Sequence, residues 1–127
     1  CSGTTDEWLA RLILEHSQSL RAASLQRLKR HIEIIEQSLP ALEGRLTWTR
    51  PEAGCVAFPL IALGDGFDER CINETGIMLI PQGCFVGLAE AGREGAHMTR
   101  ARGIRLGYGL ADFPETWARF VEFLAHA

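Results

Sequence analysis

The sequence predicts an α+β domain in which a small, mostly antiparallel sheet carries its helices on one face. Apolar residues recur at helical spacing over the first third of the chain. Short apolar runs bounded by glycine or proline follow in the remainder, as is typical of strands. The 127 residues also suffice for one hydrophobic core rather than two. The predicted order is helix, strand, strand, helix, strand, strand, helix.

The first third predicts a long helix from Thr5 to Leu39, which Pro40 ends because its ring cannot continue a helix. Such a helix would be about 52 Å long at its rise per residue. A compact domain of this size is only about 36 Å across. We therefore expect the helix to break at the polar stretch 16–19 or to project beyond the domain.

The remainder predicts short strands set between two further helices. We expect strands at 46–49, 55–60, 77–80 and 104–108, helices at 67–74 and 113–125, and a glycine-bearing loop at 87–103. The strand at 77–80 is predicted to be buried. In the strand at 104–108, alternation places Ile104, Leu106 and Tyr108 on one face and Arg105 and Gly107 on the other.

Composition excludes several function classes. The formal charge of −3 and the isoelectric point near 5.8 give no general case for binding nucleic acid or an anionic membrane. No apolar run approaches the roughly 18 residues of a membrane span. We expect a soluble cytoplasmic protein. The four cysteines, Cys1, Cys55, Cys71 and Cys84, form no metal-binding spacing, so we expect no metal site. We expect them to be reduced, with Cys55 and Cys84 in apolar surroundings.

The usual catalytic motifs are absent from the sequence. One basic cluster remains as a candidate site. It contains Arg93, Arg100, Arg102 and Arg105, with His97 nearby and Glu94 as its only acid. A solvated charged surface is the ordinary explanation of such a cluster. Arg105 differs because it shares a strand face with Gly107, which leaves room for a ligand to lie against the strand. Its planar guanidinium suits a carboxylate, which it can bind through two parallel hydrogen bonds.

Three segments carry a resemblance to a known family. They are Arg50-Pro51-Glu52-Ala53-Gly54 followed by Val56-Ala57-Phe58, then Gly76-Ile77-Met78-Leu79-Ile80-Pro81-Gln82-Gly83-Cys84-Phe85, and last Gly103-Ile104-Arg105-Leu106-Gly107-Tyr108. In order and spacing they resemble the C-terminal small domain of the class I/II aminotransferases, which are pyridoxal-phosphate enzymes of fold type I. Gln82 and Gly83 are shifted against the family's usual Pro-Gly. The resemblance covers residues 5–127 and includes the helix that links the two domains.

The resemblance implies that Arg105 holds the α-carboxylate of the substrate, an amino acid or a 2-oxo acid. It implies pyridoxal 5'-phosphate as the cofactor of a homodimeric, full-length parent. Such an enzyme needs a lysine that bonds to the cofactor. Lys29 is the only lysine here, and nothing around it, between Arg27 and Arg30, would desolvate it. We therefore expect residues 1–20 to end a linker from a missing N-terminal large domain, and residues 21–127 to form a small domain that is inactive alone.

Three alternatives remain open at this point. The chain is also consistent with a freestanding carboxylate-binding module without catalysis, for which a start codon just upstream of Cys1 would be expected. It is consistent with the small domain of a related pyridoxal-phosphate enzyme, an oxoamine synthase or a β-lyase, because the carboxylate clamp is shared. A structural oligomerisation domain would use the apolar residues of the first helix, Trp8, Leu9, Leu12 and Ile13.

Overall fold

Helices and short strands follow one another along the chain in the predicted order. The computed structural model describes residues 3–62, 64, 66–85 and 102–127. The described helices are α1 Thr4–Glu15, α2 Ser17–Ser38, α3 Phe67–Thr75 and α4 Phe113–His126, with 3-10 turns at Leu39–Leu42 and Gln82–Phe85. The described strands are β1 Leu46–Thr47, β2 Val56–Ala57, β3 Leu60–Ile61, β4 Ile80–Pro81 and β5 Arg102–Gly107. The predicted α+β class is confirmed.

Antiparallel pairing joins the strands into a sheet in which β5 pairs with β2, β3 and β4. Val56 lies opposite Gly107, and Leu60 lies opposite Gly103, which is one continuous register. β2 and β3 therefore lie end to end along one edge of β5. Together they correspond to the single strand predicted at 55–60. Pro59 interrupts that strand because it has no N–H to give to the ladder. β4 lies on the other edge of β5, and β1 pairs with β3.

The helices cover one face of this sheet and close the core. The buried apolar residues are Ile32, Ile35, Leu42, Leu46, Ala57, Ile61, Phe67, Cys71, Ile104, Tyr108, Phe113, Trp117, Phe120, Phe123 and Leu124. In α4, Phe113, Trp117 and Phe120 recur every three or four residues and so form one apolar stripe. Burial of each such side chain contributes about 1.5–3 kcal/mol. This stripe holds α4 against the sheet.

Three polar contacts join elements around the core. The Tyr108 hydroxyl donates to the carbonyl oxygen of Gly54 (3.0 Å). Buried His31 lies with Nδ1 2.8 Å from the Tyr108 carbonyl oxygen, which can only accept, so Nδ1 carries the proton. Trp117 Nε1 donates to Ser38 Oγ (3.0 Å) and joins α4 to the end of α2. Each contact satisfies a polar group that folding would otherwise bury without a partner.

The predicted break in the first helix is confirmed. His16 adopts a non-helical conformation (φ −100°, ψ 9°) between α1 and α2. α1 contains no buried residue, and Trp8 remains 63% exposed. α1 thus extends from the core and makes its described packing contacts with α2. Within the described residues, no helix is both long enough and apolar enough to cross a lipid bilayer.

The predicted buried strand at 77–80 is wrong in extent and in burial. Only Ile80 and Pro81 pair with β5, and Met78 is 74% exposed. Gly76 ends α3 in the left-handed conformation (φ 73°), as predicted, and the chain meets the edge of β5 only four residues later. Residues 77–79 therefore stand apart from the ladder. Of the predicted loop 87–103, residues 87–101 lie outside the described residues and 102–103 belong to β5.

The cysteines differ from expectation in their exposure. Cys71 is fully buried, as expected of a small core residue, whereas Cys55 and Cys84 are exposed. All three are free thiols. Their apolar neighbours along the sequence misled the prediction, because Cys55 precedes β2 and Cys84 lies in a surface 3-10 turn. Burial raises the pKa of the Cys71 thiol, although its contact with the Thr75 hydroxyl opposes that shift.

We predict that iodoacetamide alkylates Cys55 and Cys84 in the folded chain and spares Cys71. The thiolate is the reactive form, and Cys71 is both covered and shifted towards the thiol. Peptide mass spectrometry after a timed reaction measures the modification of each site. Labelling in denaturant provides the control, in which all three react. Equal labelling of Cys71 and Cys55 in the folded chain would contradict this packing.

We predict that Ser38→Ala lowers the free energy of unfolding by about 1–3 kcal/mol, because it leaves the buried Trp117 Nε1–H without a partner. Ser24→Ala, at an exposed position of the same helix, is the matched control and should change it by less than about 0.5 kcal/mol. Urea denaturation followed by tryptophan fluorescence measures both. Equal effects of the two substitutions would show that the contact contributes nothing.

Candidate functional site

The alternation predicted for β5 is confirmed. Ile104 and Tyr108 are fully buried, and Leu106 between them is partly buried. Arg105 and Gly107 are exposed on the opposite face. The alternation follows from the strand period of two, because the helices cover only one side of the sheet. Arg105 is therefore held by a strand that is anchored in the core on both sides of it.

The surface around Arg105 is a sheet face that no described helix covers. Residues directly opposite in antiparallel strands share a face, and Ile80 lies opposite Arg105. The register places Phe58 beside Arg105 on the other edge. We call this surface the open face and define it by Val56, Phe58, Leu60, Ile80, Arg105 and Gly107. Phe58 is 50% exposed and Leu60 is 40% exposed, so the guanidinium belongs to a largely apolar surface.

Two contacts shape the rim of the open face. The Phe58 and Phe85 rings meet edge to face with their centroids 5.4 Å apart. The Gln82 side chain lies against Gly103, where a Cβ would come within 2.7 Å of Gln82 Oε1. Glycine at 103 therefore permits the turn at Gln82–Phe85 to fold down beside β5.

Arg105 has no hydrogen-bond or ion-pair partner among the described residues. Arg50, by contrast, is held by Glu36 at 2.6 Å, and Arg70 is paired with Glu74 at 3.5 Å. Arg30 also has no described partner, but it lies on the solvated surface of α2. Apolar neighbours lower the local dielectric and strengthen a charged contact. Among the described residues, Arg105 is thus a cation without a counter-charge, set in an apolar surface.

Open space adjoins the guanidinium on the strand. A Cβ built at Gly107 meets no atom within 4 Å. A cleft of about 190 Å³ begins here, where residues 77–79 stand apart from β5. Its lining residues are Ile77, Met78, Leu79, Arg105, Leu106, Gly107, Phe113, Thr116, Trp117 and Phe120. The arrangement offers one cation at the margin of an apolar cleft.

The other predicted cationic residues contribute no described side chain to this site. Arg93, Arg100 and His97 lie outside the described residues. Arg102 belongs to β5, three residues before Arg105. Lys29 is exposed on α2. Within the described ranges, no three His, Cys, Asp or Glu side chains are placed to hold a metal ion.

Sequence reasoning missed the apolar neighbours of Arg105. Phe58 and Ile80 come from segments far away in the chain, and only strand register brings them to the guanidinium. The cleft was also missed, because a continuous apolar run at 77–80 predicts a paired strand rather than a gap. The isolated Met78 in that run, a long flexible side chain, is the one local signal of an irregular surface.

Comparison with known proteins adds no identification. No family model matches the chain, and no curated protein matches it.

Proposed function

We propose that this chain is the substrate-clamping small domain of an aminotransferase of the pyridoxal-phosphate class, in which Arg105 binds the α-carboxylate of an amino acid or a 2-oxo acid. The parent enzyme would transfer an amino group between those two kinds of acid. The observation that carries the proposal is the exposed Arg105 guanidinium, which has no described partner and stands in an apolar sheet face beside open space at Gly107.

The fold supports the proposal in two respects. The described helices cover one face of the sheet only, so within the described structure the face that carries Arg105 is open to a ligand or to a second domain. The helix that the resemblance identifies as the interdomain linker breaks at His16, and its first segment has no buried residue. A domain boundary near residue 20 agrees with a segment that makes its contacts elsewhere.

The described residues do not fit the cofactor. Pyridoxal phosphate supplies an electron sink when it is bound, and it requires a desolvated lysine as its anchor. Lys29 is exposed on α2 and is the only lysine of the sequence. In this proposal, cofactor binding and proton transfer therefore belong to a domain outside this chain.

The contribution of this chain is to bind and orient the substrate. The Arg105 guanidinium donates two parallel N–H···O hydrogen bonds to a carboxylate, which fixes the position and the plane of that group. Gly107 lets the ligand approach the backbone because no side chain intervenes. Phe58 and Ile80 limit the water around the ion pair, which strengthens it. Positioning of this kind contributes to catalysis by holding the reacting atoms in place.

We predict that Arg105→Gln weakens binding of pyruvate to the chain about tenfold, because a neutral amide cannot replace two charged hydrogen bonds. Arg30→Gln removes the same charge from an exposed helix and is the matched control, with unchanged affinity expected. Backbone amide shifts in ¹H–¹⁵N NMR titrations measure both constants. If the two substitutions weakened pyruvate binding equally, the affinity would depend on the net charge of the chain and not on a site at Arg105.

We predict that the chain, mixed with pyridoxal phosphate and any amino acid, forms no 2-oxo acid product. The physical reason is that Lys29 is exposed to water on α2, whereas this chemistry requires a desolvated lysine. Chromatographic assay of the 2-oxo acid provides the measurement. The opposing result is turnover by the chain that disappears in Lys29→Arg, which would place the catalytic lysine in this chain.

A freestanding carboxylate-binding module is the second candidate. It is favoured by the closed core of the described residues, whose largest buried side chains are covered without another chain. Arg105 keeps its role in that candidate, and no reaction follows. The oxoamine synthase and β-lyase alternatives also keep the same clamp.

A further inference from the structure

We infer that the cleft beside Arg105 is a side-chain subsite, and that the ligand of this chain is a carboxylic acid with a bulky apolar or aromatic side chain. The inference rests on the proposed function, because it uses the same carboxylate contact. The inference specifies which class of carboxylic acid binds, whereas the Arg105 contact alone would accept any carboxylate.

The size of the cleft selects the group that it can hold. An apolar cavity of about 150 Å³ is large enough to bind benzene. The cleft beside Arg105 measures about 190 Å³, so it accepts a phenyl ring or a branched alkyl group of that size. A methyl group alone would leave most of the space filled with water.

The lining selects the chemistry of that group. Leu106, Phe113, Trp117 and Phe120 contribute apolar surface to the cleft. The Trp117 indole N–H is already bonded to Ser38 Oγ, so it does not require a polar ligand group. Met78 at the margin is flexible and polarizable and adapts to aromatic ligands. Apart from Arg105 the described lining has no charged side chain, so a second charged group would lose hydration in this cleft without gaining an opposite charge.

The spacing along β5 connects the two contacts. Arg105 and Gly107 are two residues apart on one strand face, which is about 6.8 Å. Both residues also line the cleft, which opens at the edge of β5 where residues 77–79 stand apart. A ligand whose carboxylate lies on Arg105 can therefore pass its side chain by Gly107 and round that edge into the cleft, provided that one or two carbon atoms separate the two groups. Amino acids and 2-oxo acids with aromatic or branched side chains have that layout.

The test compares three probes that differ by one group each: 3-phenylpropionate, propionate without the ring, and 3-phenylpropan-1-ol without the charge. NMR titration of the full chain measures each dissociation constant. We expect 3-phenylpropionate to bind at least about tenfold more tightly than either of the others, since filling an apolar pocket by even a methylene changes affinity by roughly that factor. The largest shifts should occur in β5 and α4.

Two substitutions locate the binding. Gly107→Val adds a branched side chain on the open face, beside the opening of the cleft that Gly107 lines, and should remove the tighter binding of 3-phenylpropionate relative to propionate. Thr47→Val adds the same kind of side chain at an exposed position of β1 and is the matched control. Met78→Ala, at an exposed site, is the second variant if Gly107→Val fails to fold, and it should weaken the aromatic probe severalfold.

The outcomes separate the two proposals. Equal affinities for 3-phenylpropionate and propionate, both weakened by Arg105→Gln, would overturn the subsite and leave the carboxylate clamp standing. Binding of the alcohol as tightly as the acid, or affinities that Arg105→Gln leaves unchanged, would overturn the proposed function and with it the subsite. Both proposals would be supported if 3-phenylpropionate binds more tightly than propionate, and if Gly107→Val abolishes this difference whereas Thr47→Val leaves it unchanged.

Discussion

The one-sided covering of a small antiparallel sheet is the constraint on which the rest of this structure depends. Because the described helices pack against one face only, each strand must divide its side chains between a core and a surface. In β5, Ile104 and Tyr108 enter the core and Arg105 and Gly107 do not. Burial of Ile104 and Tyr108 also determines that Arg105 and Gly107 are exposed, since a shift of the strand register by one residue would bury the guanidinium. The position of the candidate site is thus a consequence of how the core forms.

The placement of a cation within apolar surface gives this site its chemical character. An arginine surrounded by water gains little from an ion pair, because each partner is already solvated and screened. Phe58 and Ile80 lie beside Arg105 on the same sheet face, and Gly107 leaves the backbone open to a ligand. The irregular path of residues 77–79 then provides an adjoining cleft that regular strand pairing would have closed. A cation, an open backbone and an apolar cleft together favour an acid with an apolar side chain.

The sequence was sufficient to predict those features that depend on local periodicity. The class of fold, the helix break at His16, the end of α3 at Gly76 and the two faces of β5 follow from spacing, glycine and strand alternation. It was insufficient where register between distant segments decides the outcome. The pairing of Ile80 with Arg105, the gap at 77–79 and the exposure of Cys55 and Cys84 depend on contacts across the fold. Hydrophobicity predicts burial, and it does not state which strand will cover a residue.

The most direct test of the account observes the Arg105 guanidinium itself. The Nε–Hε resonance of each arginine can be followed in a ¹⁵N-labelled chain, and Arg105→Gln identifies the one that belongs to this residue. The account predicts that this resonance shifts with saturation when 3-phenylpropionate is added, as a hydrogen bond to a carboxylate requires. A saturating shift of other resonances that leaves the Arg105 Nε–Hε signal unmoved would contradict the central claim.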